Sequence, residues 1–223
     1  MKTPLHSAQI LLGRIPRRAR AGFTLIELLV VMVIMAILAT TIPALQSVLQ
    51  GTMITQGGQS LVEEINQARQ IASSRNITVQ VRLIQLAQVQ NSSATGYNAI
   101  QLWGTPSGSS QVIALNRMAI LPTAVVISQD STNYSPLLSI LPTTTLSTMT
   151  VPAGTANYIY FSIMPSGMIP VSTTNMATAE ATEMKLAYLS IVSSHSGSAT
   201  SGVTNYVIVQ MNPNTGSTLA YRP

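Results

Sequence analysis

The feature that most constrains this chain is an apolar run of 23 residues, Phe23 to Leu45, with one ionisable side chain, Glu27. As an α-helix the run would be about 34 Å long, against about 30 Å for the hydrocarbon core of a bilayer. The sequence therefore predicts a transmembrane helix over residues 23–45. A carboxylate inside such a helix costs free energy unless it is paired or reaches the interface, so Glu27 is a candidate functional residue.

The basic residues are concentrated before this run. The formal net charge is +5, but five of the eleven basic residues precede residue 23, namely Lys2, Arg14, Arg17, Arg18 and Arg20. The positive-inside rule then predicts a cytoplasmic amino terminus and an exported remainder. From residue 23 onward, six basic and six acidic side chains balance, which argues against a nucleic-acid-binding surface. Only 8% of residues are charged, which also suits an exported protein, and the chain has no cysteine.

The junction between the basic segment and the apolar run reads Gly22-Phe23-Thr24-Leu25-Ile26-Glu27. This stretch resembles the class III signal of type IV pilins and type II secretion pseudopilins. The resemblance implies that a prepilin peptidase cleaves after Gly22 and methylates the new amino terminus at Phe23. It also implies that Glu27 pairs with the terminal amine of a neighbouring subunit. Two opposite charges in contact in a low dielectric compensate each other, whereas one alone is costly.

Two positions depart from the family pattern. Ala36 stands where members commonly have a glycine in the middle of the helix, and Pro43 falls one residue before their usual proline. Pro43 cannot donate a backbone hydrogen bond to Ala39, so a kink or a looser turn is expected there.

Beyond Pro43, apolar residues recur at spacings of three and four, which predicts an amphipathic continuation of the helix over residues 46–75. Within Ser60 to Ser74 the apolar stripe consists of Leu61, Ile65, Ala68 and Ala72. Gly51 and the pair Gly57-Gly58 are expected to weaken the helix near residues 51–58. The adjacent pair Glu63 and Glu64 is interpreted as part of a solvated face rather than a carboxylate site, because adjacent helical residues diverge by about 100°.

After Arg75 the pattern alternates with a period of two, which predicts strands. Further strands are expected at 97–103, 111–116, 124–128, 157–164, 184–192 and 205–211, with a last strand ending at Tyr221. A slip of phase at Leu83-Ile84 predicts a bulge or a strong twist. Two polar stretches, Gln129 to Gly154 and Ser193 to Thr204, are expected to be exposed loops.

These elements predict an α+β fold, a long amino-terminal transmembrane and amphipathic helix followed by an antiparallel β domain. The expected organisation is a leader peptide at 1–22, the transmembrane and filament helix at 23–45, its amphipathic continuation at 46–75, and a periplasmic β domain at 76–223.

The order of four segments is similar to that of the GspH/FimT group of minor pseudopilins and pilins. The segments are LVEEINQARQIASS (61–74), LPTAVVI (121–127), FSIMPSG (161–167) and VQMNPNTG (209–216). The chain also resembles the prepilin-type proteins called Verru_Chthon cassette protein D. These resemblances imply a filament subunit whose partners are other pilin subunits, the prepilin peptidase, the inner membrane and an assembly platform.

No residue pattern indicates catalysis. His195 and Asp130 could be combined with a serine, but the flanking sequence is loop-like, and a surface histidine is the preferred interpretation. Glu180 and Glu183 lack the further ligands that a metal site requires. Gly104 to Gly108 is interpreted as a turn rather than a phosphate loop. We therefore expect no enzyme activity, no cofactor and no metal.

Three hypotheses follow. The first is a minor pseudopilin or pilin, a single-pass inner-membrane protein that becomes part of a filament. The second is a DNA-uptake minor pilin, which would need a cationic carboxy-terminal surface where the sequence offers Arg222. The third is an uncleaved, signal-anchored periplasmic domain.

Overall fold

A computed structural model describes residues 23–86, 96–142, 146–152, 154–171, 187–194, 203 and 205–223, and leaves the side chains of residues 40–48 outside the description. Over these residues a long helix precedes antiparallel strands, which confirms the α+β class expected from the sequence. The chain divides into two compact units, Met1–Ala44 and Leu45–Pro223. The boundary between them falls inside the long helix.

The long helix, α1, runs from Leu25 to Arg75. It ends where Asn76 adopts a left-handed conformation with φ of 51°. The backbone N–H of Ile77 donates a hydrogen bond of 3.2 Å to the carbonyl of Ala72. This is the bond of a Schellman cap, which ends a helix by satisfying a carbonyl of its last turn. The chain then leaves α1 directly into the first strand.

Eleven strands follow in the described residues, and all of their pairings are antiparallel. In chain order they are β1 (Val79–Gln85), β2 (Gly96–Tyr97), β3 (Ala99–Gly104), β4 (Ile113–Ala114), β5 (Ala119–Ile120), β6 (Val125–Ser128), β7 (Ser147–Val151), β8 (Gly154–Ile163), β9 (Tyr188–Ser193), β10 (Tyr206–Met211) and β11 (Thr218–Tyr221). A short helix, α2 (Leu137–Ile140), lies between β6 and β7.

The strands form two sheets. The first sheet has the order β4-β3-β1-β8-β7, with β5 also paired to β3, and the second has the order β11-β10-β9-β6-β2. At the centre of the first sheet, β1 pairs along its length with both β3 and β8.

The main core lies between the second half of α1 and both sheets. The expected apolar stripe is confirmed, because Leu61, Ile65, Ala68 and Ala72 are all fully buried. They belong to one cluster with the inward-facing residues of β1, β3 and β8 and of β6, β9 and β10. An amphipathic helix that buries one stripe against sheets gains most of its stability from this packing rather than from helix propensity.

The glycine pair on α1 marks its closest approach to the second sheet. A Cβ atom at Gly57 would lie 2.9 Å from Cγ1 of Val125, and one at Gly58 would lie 2.8 Å from Cγ1 of Val207. Such distances are too short for any side chain, so glycine allows the helix to touch β6 and β10. The helix continues through residues 51–58, and the pair has a packing role that the sequence analysis did not identify.

Two turns, one after β8 and one after β10, contact each other and α1. Gly167 and Gly216 occupy them with positive φ values of 86° and 63°. The backbone N–H of Ile169 donates a 2.7 Å bond to the carbonyl of Pro213, which joins the turns. A Cβ atom at Gly216 would lie 3.1 Å from Cδ of Arg69. The turns of FSIMPSG and VQMNPNTG therefore meet on the helix segment that begins at Leu61.

Of the two alternatives expected at Leu83-Ile84, the bulge is wrong, because β1 keeps its register with β3 and β8 through both residues, and the strong twist stays a prediction. Both side chains are fully buried. Leu83 faces the main core, while Ile84 joins a second cluster with Ala99 and Ala156 on the opposite face of the first sheet. Consecutive apolar residues here reflect a strand that is covered on both faces.

The stretch Gln129 to Gly154 was expected to be an exposed loop, and this prediction is wrong. It contains α2, whose Leu137 and Leu138 are buried in the main core together with Leu141. It also contains β7, an edge strand paired with β8. The leucines of α2 are buried in the core although the surrounding sequence is rich in polar residues. Most of Ser193 to Thr204 lies outside the described residues.

Candidate processing and assembly site

Thr24 caps the amino end of α1. Its side-chain Oγ1 accepts a hydrogen bond of 3.3 Å from the backbone N–H of Glu27. Its carbonyl oxygen accepts bonds from the N–H groups of Glu27 at 3.1 Å and Leu28 at 3.2 Å. A threonine at this position satisfies an N–H group that would otherwise lack a helical partner. Only Phe23 and Thr24 therefore separate the predicted cleavage bond from the first residue of the helix.

Glu27 is the third residue of α1 and lies in its first turn. Thr24-Leu25-Ile26-Glu27 has the spacing of a capping box, in which a threonine is followed three residues later by a glutamate. A negative side chain is also favoured near the positive end of the helix dipole. The bond from the Glu27 N–H to Thr24 is present, and the spacing and charge of Glu27 suit a helix start, a motif that the sequence analysis did not identify although it was readable.

Phe23 is 76% exposed and precedes the helix. Gly22, the other residue of the predicted cleavage site, lies outside the described residues. Cleavage and methylation at this bond stay predictions.

The first half of α1 exposes apolar side chains on all sides. Every described large apolar residue from Leu25 to Leu38 is between 47% and 84% exposed. They are Leu25, Ile26, Leu28, Leu29, Val30, Val31, Met32, Val33, Ile34, Met35, Ile37 and Leu38. A helix that is apolar all round is normally buried in a bilayer or among other helices. This surface is therefore the one that an assembly or a membrane would cover.

In the part of the chain that the structure describes, no helix combines the length and hydropathy of a membrane span. The transmembrane character of residues 23–45 stays a prediction.

The helical assignment continues through Pro43. The kink expected there stays a prediction.

Asp130 has a role in a turn. Its carboxylate accepts hydrogen bonds from the backbone N–H groups of Thr132 at 2.9 Å and Asn133 at 3.1 Å, and from the Asn133 side chain at 3.0 Å. The bond from the Asn133 side chain is the main cause that lowers the pKa of Asp130 below its usual value. His195, Glu180 and Glu183 lie outside the described residues. Among the described residues, no group of acidic or histidine side chains could hold a metal ion.

Arg222, the cation on which a carboxy-terminal DNA site would depend, lies beside Gly51. Its guanidinium nitrogens are 3.4 Å from the position of a Cβ atom at that glycine. Its Nη2 donates a 2.7 Å bond to Asn205. These contacts are with neutral groups of the same unit.

Comparison with known proteins identifies one feature of the chain. A family model described as "Prokaryotic N-terminal methylation motif" matches residues 17–42. No curated protein and no solved structure matches the chain. The matched segment contains the capped helix start, Glu27 and the exposed apolar helix. The match supports the conclusion that the chain is a type IV pilin-like protein and a substrate of a prepilin peptidase.

Proposed function

We propose that this chain is a structural subunit of the GspH/FimT type, a minor pseudopilin or pilin. In this proposal a prepilin peptidase cleaves between Gly22 and Phe23 and methylates Phe23. The mature subunit stays in the inner membrane with its amino terminus on the cytoplasmic side until α1 carries it into a periplasmic filament of a type II secretion or type IV pilus machine. The β domain contacts neighbouring subunits or cargo.

One observation carries the proposal. The segment that matches the methylation motif is a capped helix whose apolar side chains are exposed all round, with a single carboxylate in its first turn. Water is an unfavourable environment for such a surface, since each buried Å² of apolar area is worth about 25 cal/mol. Packing among the helices of neighbouring subunits would bury it.

In this proposal the carboxylate of Glu27 sets the axial register between neighbouring helices. Cleavage before Phe23 creates an amino group, and Glu27 of a neighbouring subunit supplies the opposite charge. Away from water an unpaired charge is expensive, so a helix that slides out of register loses this compensation. The same helices could otherwise pack at many heights, because apolar contacts have no direction.

Glu27→Gln tests this role. The change removes the charge but keeps the side-chain size and the backbone N–H that bonds to Thr24. We expect normal cleavage at Phe23, because the bond and its flanking residues are unchanged, and a loss of at least about tenfold in incorporation into sheared filaments. Quantitative immunoblotting of the filament and membrane fractions measures both.

Thr24→Val is the matched control. It removes the cap oxygen, at a cost of about 1 kcal/mol to the helix start, and leaves the Glu27 charge in place. We expect incorporation close to wild type. If Glu27→Gln assembles normally, or if Thr24→Val fails as severely, the charge is not what sets the register.

A further inference from the structure

Arg82 is a buried cation on the face of the first sheet that points away from α1. Only 9% of its surface is exposed. It alternates along β1 with Val81 and Leu83, which face the main core. Arg82 lies directly opposite Gln101 on β3 and Tyr160 on β8. The outer face of the first sheet therefore has a single arginine near its centre.

Two aromatic rings lie against the guanidinium of Arg82. Its central carbon lies 4.0 Å from the ring centroid of Trp103 and 4.5 Å from that of Tyr158. Gln80 Oε1 accepts bonds from Arg82 Nε at 3.3 Å and Nη2 at 3.0 Å. Cation–π contacts with two rings and a bond to an amide hold the group in one orientation. The guanidinium is therefore preorganised in the absence of a partner.

Among the described residues, no carboxylate pairs with this cation. Burial lowers the pKa of Arg82, while the nearby Tyr158 and Tyr160 hydroxyls raise it. An arginine nevertheless remains charged at any physiological pH. Its guanidinium has five N–H donors, and the bonds to Gln80 use two of them. The others have no hydrogen-bond partner within the described part of the chain.

The surroundings of Arg82 have the composition of a binding surface. Trp103, Tyr158 and Tyr160 are each partly exposed. Met118, Met149 and Tyr158 each pack against the second apolar cluster. Arginine, tryptophan and tyrosine are the residues that most often dominate interface energies, and methionine adapts to varied partners.

We propose that this outer face of the first sheet, which we call the Arg82 surface, binds a carboxylate-bearing segment of a partner protein. The segment presents a glutamate or aspartate between apolar residues. Its carboxylate bonds to the free N–H donors of Arg82, and its apolar residues contact the rings and the methionines. An anion is favoured here because a fixed, desolvated guanidinium forms strong charge-assisted hydrogen bonds. The inference goes beyond the proposed filament role and does not depend on it.

The test uses Trp103, the single tryptophan of the chain, as a fluorescent reporter at the site itself. The full chain, kept in nonionic detergent, is titrated with acetyl-Leu-Glu-Leu-Glu-Leu-amide and with the matched peptide that has glutamine in place of both glutamates. We expect the acidic peptide to change the emission of Trp103 and to bind at least about tenfold more tightly than the neutral one. Added salt is expected to weaken the difference.

Two variants test whether the preference for the acidic peptide depends on Arg82. Arg82→Gln is expected to bind the two peptides equally. Arg75→Gln removes the same charge from an exposed position at the end of α1 and is expected to keep the preference within about twofold of wild type. If Arg82→Gln does not fold, judged by its circular dichroism, Arg82→Lys replaces it and is expected to lose most of the preference, because lysine cannot form the planar bonds.

Equal binding of both peptides, or binding of neither, would overturn the proposal. So would a preference that persists in Arg82→Gln. A second copy of this chain is the other occupant to consider, and sedimentation of the same samples detects it. If the wild type self-associates through Arg82 and shows no peptide preference, the surface joins copies of the chain and the partner proposal is wrong.

Discussion

The two halves of α1 have the same backbone structure and opposite surfaces. In the first half, large apolar side chains from Leu25 to Leu38 are about half exposed or more. In the second half, Leu61, Ile65 and Ala68 are fully buried in the core of their own unit. The difference comes from how apolar residues are distributed around the helix rather than from helix propensity. An apolar stripe with a polar opposite face packs on the chain's own sheets, whereas an all-round apolar helix needs cover on every side, as in a bilayer or among other helices.

One substitution in each half of α1 is expected to show the largest difference in folding stability. Leu61→Ala removes a fully buried side chain and is expected to lower the free energy of unfolding by about 2–5 kcal/mol, through lost burial and the cavity left behind. Leu28→Ala, at a residue that is 59% exposed, is expected to change it by less than about 0.5 kcal/mol. Urea unfolding of the full chain in detergent, followed by Trp103 fluorescence, measures both.

Leu28→Ala is expected instead to reduce incorporation into filaments, because Leu28 belongs to the surface that assembly buries. Similar losses of folding stability in the two variants would mean that the first half of α1 is part of the folded core, contrary to this account.

Alanine substitutions at two glycines in the second half of α1 are expected to change folding stability by smaller amounts and with different signs. Alanine is a better helix former than glycine by about 1 kcal/mol, so Gly51→Ala, whose Cβ would meet Arg222 at an ordinary 3.4 Å, is expected to be neutral or stabilising. Gly58→Ala is expected to destabilise by about 1–3 kcal/mol, because its Cβ would lie 2.8 Å from Val207. The same unfolding assay decides the sign of each change. A stabilising Gly58→Ala would show that α1 and the second sheet have room between them.

The smallest expected effect is a pH dependence from Glu64. Asn116 Nδ2 donates a 2.7 Å bond to Glu64 Oε2, and Asn116 Oδ1 accepts a 2.9 Å bond from the backbone N–H of Leu102. This bridge joins α1 to β3. Partial burial raises the pKa of Glu64 above its ordinary value of 4.5, and the Asn116 bond partly offsets the rise.

A raised pKa in the folded state means that protonation of Glu64 favours folding. The associated stability is present below pH 4.5 and is lost as the pH rises through the folded-state pKa. Glu64→Gln keeps an acceptor for Asn116 without the charge. Relative to wild type it is expected to gain stability as the pH rises from about 4 to 7, by less than about 1 kcal/mol because the group is partly exposed. A difference that is flat over this range would mean that burial does not perturb Glu64.

Much of the fold follows from local pattern. The stripe from Leu61 to Ala72 and the strands that became β1, β3, β6, β8 and β10 were predicted from local residue patterns, because their apolar residues lie between recognisable turns or recur at the spacing of the element. Strand β5 was missed because it has only two residues, and β7 was missed because it lies in a stretch rich in Ser and Thr that was interpreted as a loop. The role of Gly57-Gly58 depends on Val125 and Val207, which are distant in sequence, so no local rule could give it.

The candidate site was predictable for a different reason. A glycine, an apolar helix and a lone carboxylate form a short contiguous signal, and the matched model covers that stretch. The capping spacing of Thr24 and Glu27 was equally local. The arrangement around Arg82 was not, because Trp103 and Tyr158 come from strands on either side of β1 and meet it only in the sheet.

Processing by a prepilin peptidase is tested by the intact mass and amino-terminal sequence of the protein isolated from membranes that contain this peptidase. We expect a chain that begins at N-methylated Phe23, with the 22-residue leader absent. Gly22→Val, which changes the residue before the bond, should leave the chain uncleaved. A wild-type chain that begins at Met1 in the presence of an active peptidase would show that the protein is not processed as a pilin and is instead an uncleaved, signal-anchored protein.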